Sequence, residues 1–483
     1  MLIKMEGYIP QSQRKKILLM CDDIRTHSGI GTIAREIVLH LAHRYNIINV
    51  GAAINHPDQG KRLDISADTN TTLGINDASV IIYPSNGYGN PDLVRQLIHI
   101  EKPDAIFIIT DPRYWAWLFQ MENEIRKKIP IVYLNIWDDY PSPMYNKEFY
   151  ESCDLLMGIS KQTVNINKLV LGDKAKDKII SYVPHGLNHK VYFPIDESYE
   201  KYDEFKEFKN QVFKGKEFDF VLFFNSRNIR RKQVPDTIWA YKQFVDKLPL
   251  EKAKKCALLL HTQPIDENGT DLPAVIEALC GDDERYNFIF SESRLTPLQM
   301  NYLYNCVDAQ ILLTSNEGWG LSLTEAILTG KPIIANVTGG MQDQMRFEDE
   351  KGLWIDFDDQ FPSNHRGRYK KCGPWAFPVF PTSISIVGSV PTPYIFDDRC
   401  EASDAADRIF EVYNLGPDKR KAIGLVGREW AIGDEAKFTS EKMTYSIISN
   451  LDKLFQTWKP RKKYELIKVE NKKPKIVPHN LIY

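Results

Sequence analysis

Residues 315–340 read SNEGWGLSLTEAILTGKPIIANVTGG, and the order of events within them decides the fold. The apolar run just before, residues 309–313, has the look of a buried parallel strand. A turn over 315–320 carries Glu317, Gly318, Trp319 and Gly320. A helix is expected over 321–328, with Glu325 inside it. Gly330 ends that helix, Pro332 opens a further strand, and Gly339 and Gly340 lie beyond. Strand, glycine turn and helix start together aim unpaired backbone N–H groups at an anion. Seven residues separate the two glutamates. One sits at the turn and the other about a helical turn inside, so both can face one ligand.

Vicinal hydroxyls such as those of a ribose would donate to a carboxylate placed like Glu325. Glu317 could do the same for a sugar ring, with the amides of Gly318 to Leu321 close to phosphate or sugar oxygens. The competing reading is a strand–helix unit with two solvated glutamates, since pairs of carboxylates are common. The flanking GKPIIA and a strand on each side weigh against it. In the form EGWGLSLTEA followed by GKPIIA, the stretch resembles the donor signature of family 4 retaining glycosyltransferases. That resemblance implies the GT-B fold: two Rossmann-like, doubly wound parallel-sheet α/β domains facing a cleft. It also implies a hexosyl- or pentosyltransferase that uses a nucleoside-diphosphate sugar, UDP-sugar foremost, as donor substrate, with neither metal nor cofactor.

Composition sets bounds on these readings. A chain of 483 residues exceeds what one core accommodates and points to two or three domains. With a net charge of −2, there is no whole-molecule pull toward nucleic acid or anionic lipid. No apolar run approaches the length of a spanning helix, and the N-terminus MLIKMEGYIPQSQRKK has no apolar segment of the secretory kind. Seven cysteines are scattered, with no C-x-x-C pair, which fits a soluble protein of a reducing cytoplasm.

In the N-terminal half, strand-like runs at 15–21, 47–52, 80–83, 105–110, 131–136, 155–159 and 179–183 alternate with helical stretches. This is the pattern of a parallel, doubly wound sheet. Ligands of such sheets lie at the carboxyl ends of the strands, where the loops with Gly29, Asp111 and Asp138 fall. Gly29-Ile30-Gly31-Thr32-Ile33-Ala34 also fits the dinucleotide fingerprint and raises a rival, an NAD- or flavin-type oxidoreductase. Seven residues intervene between its strand and the fingerprint, and the next strand ends Gly51-Ala52-Ala53 with no carboxylate until Asp58. In the glycosyltransferase reading, Gly29 and Gly31 let backbone amides approach the donor diphosphate.

Trp137-Asp138-Asp139 stands where the family often has a His-Asp pair. Asp138 is expected to replace the missing His, and Asp139 and Asp111 are acceptor candidates that double as helix caps. Val183 to Asn188 resembles the family's turn before the hinge, with His185 as a hinge residue and candidate contact.

The charged run 197–217 reads as an interdomain linker. After a strand at 218–224, residues 227–232 hold four basic side chains in six positions. Arg227 and Lys232 resemble the family's Arg/Lys pair on the donor diphosphate. Two fixed cations beside a helix N-terminus stabilise charge growing on a leaving diphosphate. The expected domains are an acceptor domain at 1–200, a donor domain at 201–435, and a crossover helix with a basic tail at 436–483. Residues 349–394 read as an insertion, with the cations of 365–371 (Arg366 and Arg368 among them) near Trp375 and Phe377. That set could bind a polyanion and stack a base. With the lead-in GMQDQMRFEDE, the insertion resembles glycosyltransferases carried by large-genome bacteriophages, which implies a hydroxymethylated DNA base as acceptor. A glycan or lipid-linked sugar is the alternative. A non-catalytic sugar-nucleotide-binding protein is the reading from another class.

Overall fold

The computed structural model describes residues 7–53, 55–357, 363–364 and 367–462. Eight strands form the first sheet: β1 (Lys15–Asp22), β2 (Tyr45–Ala52), β3 (Leu63–Asp64), β4 (Val80–Pro84), β5 (Ala105–Ile109), β6 (Ile131–Asn135), β7 (Leu155–Gly158) and β8 (Ile179–Tyr182). Their order is β3-β4-β2-β1-β5-β6-β7-β8, parallel throughout except for the β3 edge. The second sheet comprises β9 (Phe220–Asn225), β10 (Cys256–His261), β11 (Phe288–Phe290), β12 (Ala309–Leu312), β13 (Ile333–Asn336) and β14 (Ala376–Val379). It is parallel in the order β11-β10-β9-β12-β13-β14. Both sheets reverse direction of winding beside their first strand, the arrangement of two Rossmann-like domains. Their inner strands are almost wholly buried, as near-continuous runs of Val, Ile, Leu and Phe require of sheets covered on both faces.

The switch points lie between β1 and β5 in one sheet and between β9 and β12 in the other. The loops that leave β9 and β12 are the Arg/Lys loop and the two-glutamate turn, so topology alone makes them neighbours. Thr439 caps the last helix, Ser440–Thr457. That helix returns to the first domain through Ser440 Oγ on Glu36 (2.6 Å), Arg44 on Asp452 (2.6 Å) and Tyr45 against Phe455.

Two expectations need correction. Residues 197–217 are not a free linker: Tyr202–Phe213 is a helix that buries Phe205 and Phe213, with Phe205 against Tyr302. Nor is 349–394 wholly an insertion, because β14 is the sixth strand of the second sheet. The addition proper is the antiparallel hairpin of β15 (Ser383–Ser389) and β16 (Thr392–Arg399).

Candidate active site

A cavity of about 1270 Å³ opens between the two domains. Into it converge loops after β1, β5 and β6, the loops after β9, β10, β11 and β12, and the hairpin. Of the expected residues, Gly29, Asp111, Asp138, Asp139, His185, Arg227, Lys232, Glu317 and Glu325 all line it, as do Gly318, Trp319, Gly320 and Leu321.

The two-glutamate turn is shaped by glycines. Gly320 caps the Leu321–Leu328 helix with φ +84°, a conformation that side chains rarely tolerate, and no side chain caps the helix in its place. Gly339 has φ +55°, and a Cβ there would lie 2.1 Å from the carbonyl oxygen of Glu317. Glycine lets the β13 turn press against the Glu317 backbone, where Gly340 N–H donates to Glu317 O at 3.0 Å.

Two hydrogen bonds to one carbonyl tie the basic loop to this turn: Ser315 N–H and Thr314 Oγ1 both donate to Arg231 O, at 2.8 and 2.9 Å. Arg231 Nη1 then reaches Glu317 Oε2 at 3.0 Å and Asn316 O at 2.7 Å, and Lys232 Nζ pairs with the same Glu317 oxygen. Burial alone would raise the Glu317 carboxyl. The Lys232 and Arg231 cations outweigh it and hold the group at about 2. This corrects the expected pairing. Lys232 works beside Arg231, whereas Arg227 is 61% exposed and turned to Asp266 at 2.8 Å. The spacing of the basic run did not reveal which of its cations face inward. That follows from the 3-10 turn Arg230–Lys232.

Glu325 lies deeper. It accepts from Tyr304 Oη (2.6 Å), Tyr192 Oη (3.0 Å) and Asn225 Nδ2 (3.2 Å). Burial nevertheless lifts its pKa to about 7, against the pull of those three donors. None of the three was legible as a partner, because each comes from a different part of the chain.

On the opposite wall, burial raises both Asp138 and Asp139, with Asp138 beside Asp139 adding to the rise and Arg231 opposing it. Asp111 holds Arg113, with Nε at 2.9 Å, and caps its backbone N–H. His185 is buried against Trp319, ring centroids 6.2 Å apart, and its Nδ1 finds no partner. Burial drops its pKa to about 3, so the imidazole is neutral.

Other expected contacts are not made. Gly31 does not line the cavity: its N–H is taken by Ser28 Oγ (2.9 Å), and a Cβ there would strike Thr26. The Trp319 indole is turned into the core, donating to Thr324 Oγ1 at 2.9 Å and meeting Phe438 edge-on. Arg368 lies over the Tyr369 ring, away from the cavity, and Arg366 lies outside the described residues. Trp375 and Phe377 cannot stack a base. Trp375 is 2% exposed, stacked on Trp430, with Nε1 donating to Gln344 O, and Phe377 is 7% exposed. Phe377 belongs to the buried strand β14, and Trp375 lies just before that strand, packed on Trp430.

Two parallel-sheet Rossmann-like domains facing a cleft define the GT-B fold. Solved structures share it. A sucrose-phosphate synthase from Thermosynechococcus elongatus is 14% identical with a TM-score of 0.64 over 92% of this chain and 100% of that one. HepE from Anabaena, solved with UDP and glucose, is 14% identical with a TM-score of 0.60 over 91% and 100%. A glycosyltransferase from Rickettsia africae is 14% identical with a TM-score of 0.60 over 92% and 100%. No protein-family model and no curated protein sequence matches the chain. Likeness at this identity carries the fold alone. No helix among the described residues is long and apolar enough to cross a membrane.

Proposed function

We propose that the protein is a retaining glycosyltransferase of the family 4 type, moving a sugar from a UDP-sugar to an acceptor hydroxyl. The observation that carries this reading is the convergence of Arg231, Lys232, Glu317 and Glu325 on one interdomain cavity. Similar structures solved with UDP and glucose, and with UDP-glucose, support the choice of donor.

In this reading residues 201–435 form the donor domain, 1–200 the acceptor domain, and 436–483 the crossover segment. The ribose hydroxyls donate to Glu325. The diphosphate lies against Arg231 and Lys232, with Arg227 able to swing in from Asp266, and against the uncapped N-terminus of the Leu321–Leu328 helix. Glu317 keeps both inner cations in place before the donor arrives, so little reorganisation accompanies the growth of charge on the leaving diphosphate. Glu317 and the amides around Gly318 hold the sugar. The acceptor oxygen bonds to the anomeric carbon on the face the diphosphate leaves. The sugar–phosphate bond breaks with its electron pair on the phosphate oxygen, which takes the acceptor's proton. Asp138 faces this centre. The walls exclude water and so disfavour hydrolysis.

A thermal-shift panel of nucleoside diphosphates followed by donor turnover tests this. UDP and UDP-sugars should stabilise the protein above other nucleotides, and Lys232→Ala and Glu325→Ala should lose donor turnover. Wild-type rates in both variants would end the reading.

A further inference from the structure

The cavity's walls differ in chemistry. The wall of the second domain carries Arg227, Arg231, Lys232 and Arg294. Among the described residues, the facing wall of the first domain offers Arg113 alone among arginines and lysines, and Asp111 already holds it. Its other acidic side chains are Asp138 and Asp139, and it also carries His27 and His185. The hairpin forms a roof with an uncharged inner face, Val387, Gly388, Ser389, Thr392 and Ile395.

This roof is tied to both domains. On one side Phe396 N–H donates to Tyr140 O (2.6 Å), Tyr145 Oη to Tyr394 O (2.9 Å), and Arg113 to Thr392 Oγ1. On the other Asp398 N–H donates to Ser315 O (3.0 Å), and Asp397 accepts from Asn316 Nδ2 (2.8 Å). His185, buried against Trp319 with Nδ1 unpartnered, is among the residues lining the same cavity.

We propose that the hairpin completes an acceptor subsite, with Asp138, Asp139 and His185, for the uncharged polyhydroxyl end of a sugar or glycan. The proposal rests on the glycosyl-transfer reading and deepens it. Hydroxyls donate to carboxylates and accept from a neutral imidazole or a protonated carboxyl, so they match this wall without a cation. A phosphorylated acceptor would set like charges together there. A nucleic acid needs Lys or Arg on its phosphates to be held at all, and the one arginine on this wall is already paired.

Ligand-observed NMR on the full chain with UDP present tests this, using methyl hexopyranosides, glucose 6-phosphate and a hydroxymethylcytosine duplex as probes. Neutral hexosides should bind, and the sugar phosphate and duplex should not. Replacing residues 386–393 by a Gly-Ser link should abolish hexoside binding and leave UDP binding, read by calorimetry, unchanged. Asp139→Asn, which keeps the hairpin, should narrow the preference for neutral over phosphorylated sugar by about tenfold, equivalent to roughly 1.4 kcal/mol. Equal or stronger binding of glucose 6-phosphate or the duplex overturns the proposal. So does hexoside binding that survives the Gly-Ser replacement, or its absence in the wild type. If UDP itself fails to bind, the donor reading and the subsite fall together, a result distinct from the others.

Discussion

The phenol of Tyr304 donates to Oε2 of Glu325 at 2.6 Å, yet the carboxyl it serves stays near a pKa of about 7. Desolvation outweighs three hydrogen bonds, and this leaves a titrating group where a ribose is expected. Affinity for UDP should therefore rise as pH increases through about 7, as the carboxylate becomes a pure acceptor for the ribose hydroxyls. Glu325→Gln should weaken UDP binding and remove that pH dependence. Calorimetry between mildly acidic and mildly basic pH measures both, and a slope unchanged in the variant contradicts the assignment.

Stability follows the same group with a definite sign. Its folded pKa of about 7 lies above the ordinary 4.5. The contribution is thus fully present below 4.5 and is lost as pH rises through 7. A shift of that size corresponds to roughly 3 kcal/mol. Denaturant titrations should show wild type losing stability across this window relative to Glu325→Gln. Parallel curves for the two proteins would refute the prediction.

Removing Lys232 leaves Glu317 buried with one cation fewer. Lys232→Ala should cost about 3–5 kcal/mol in stability, the range for breaking a buried pair. Donor turnover should drop on the order of a hundredfold or more. The double variant Lys232→Ala/Glu317→Ala should recover part of the stability and none of the activity. Equilibrium unfolding checks the first statement and UDP release the second.

Asp397 reaches from the hairpin to Ser315 Oγ (3.1 Å) and Asn316 Nδ2 (2.8 Å), the two residues that precede Glu317. Asp397→Ala should lower kcat by about tenfold, since each charge-assisted hydrogen bond contributes roughly 1.5–3 kcal/mol, with UDP affinity little changed. A loss confined to UDP affinity would show that the hairpin does not position the turn.

Gly339→Ala places a methyl group 2.1 Å from Glu317 O at a φ of +55°. The backbone must shift, at a cost of about 1–3 kcal/mol for the conformation alone. The variant should fold with a lowered melting temperature and lose donor turnover out of proportion to the stability lost. Wild-type turnover would mean that the Glu317 backbone position does not matter.

Much of this architecture was legible in the chain. Period and punctuation placed the strands, and the glycine turn with its two glutamates marked the anion-facing helix start, because these are properties of neighbouring residues. The rest involves residues distant in sequence. That Arg231 and not Arg227 joins Lys232 depends on one 3-10 turn and on the β12 end that receives it. The basic, aromatic segment reads as a nucleic-acid surface, yet β14 and the turn just before it take Phe377 and Trp375 into the core. By itself the sequence determined two parallel α/β sheets and the loops that carry charge, since local spacing sets which backbone groups are left free. Only the tertiary structure decided which charges meet, because burial and pairing arise where separate loops are brought to one switch point.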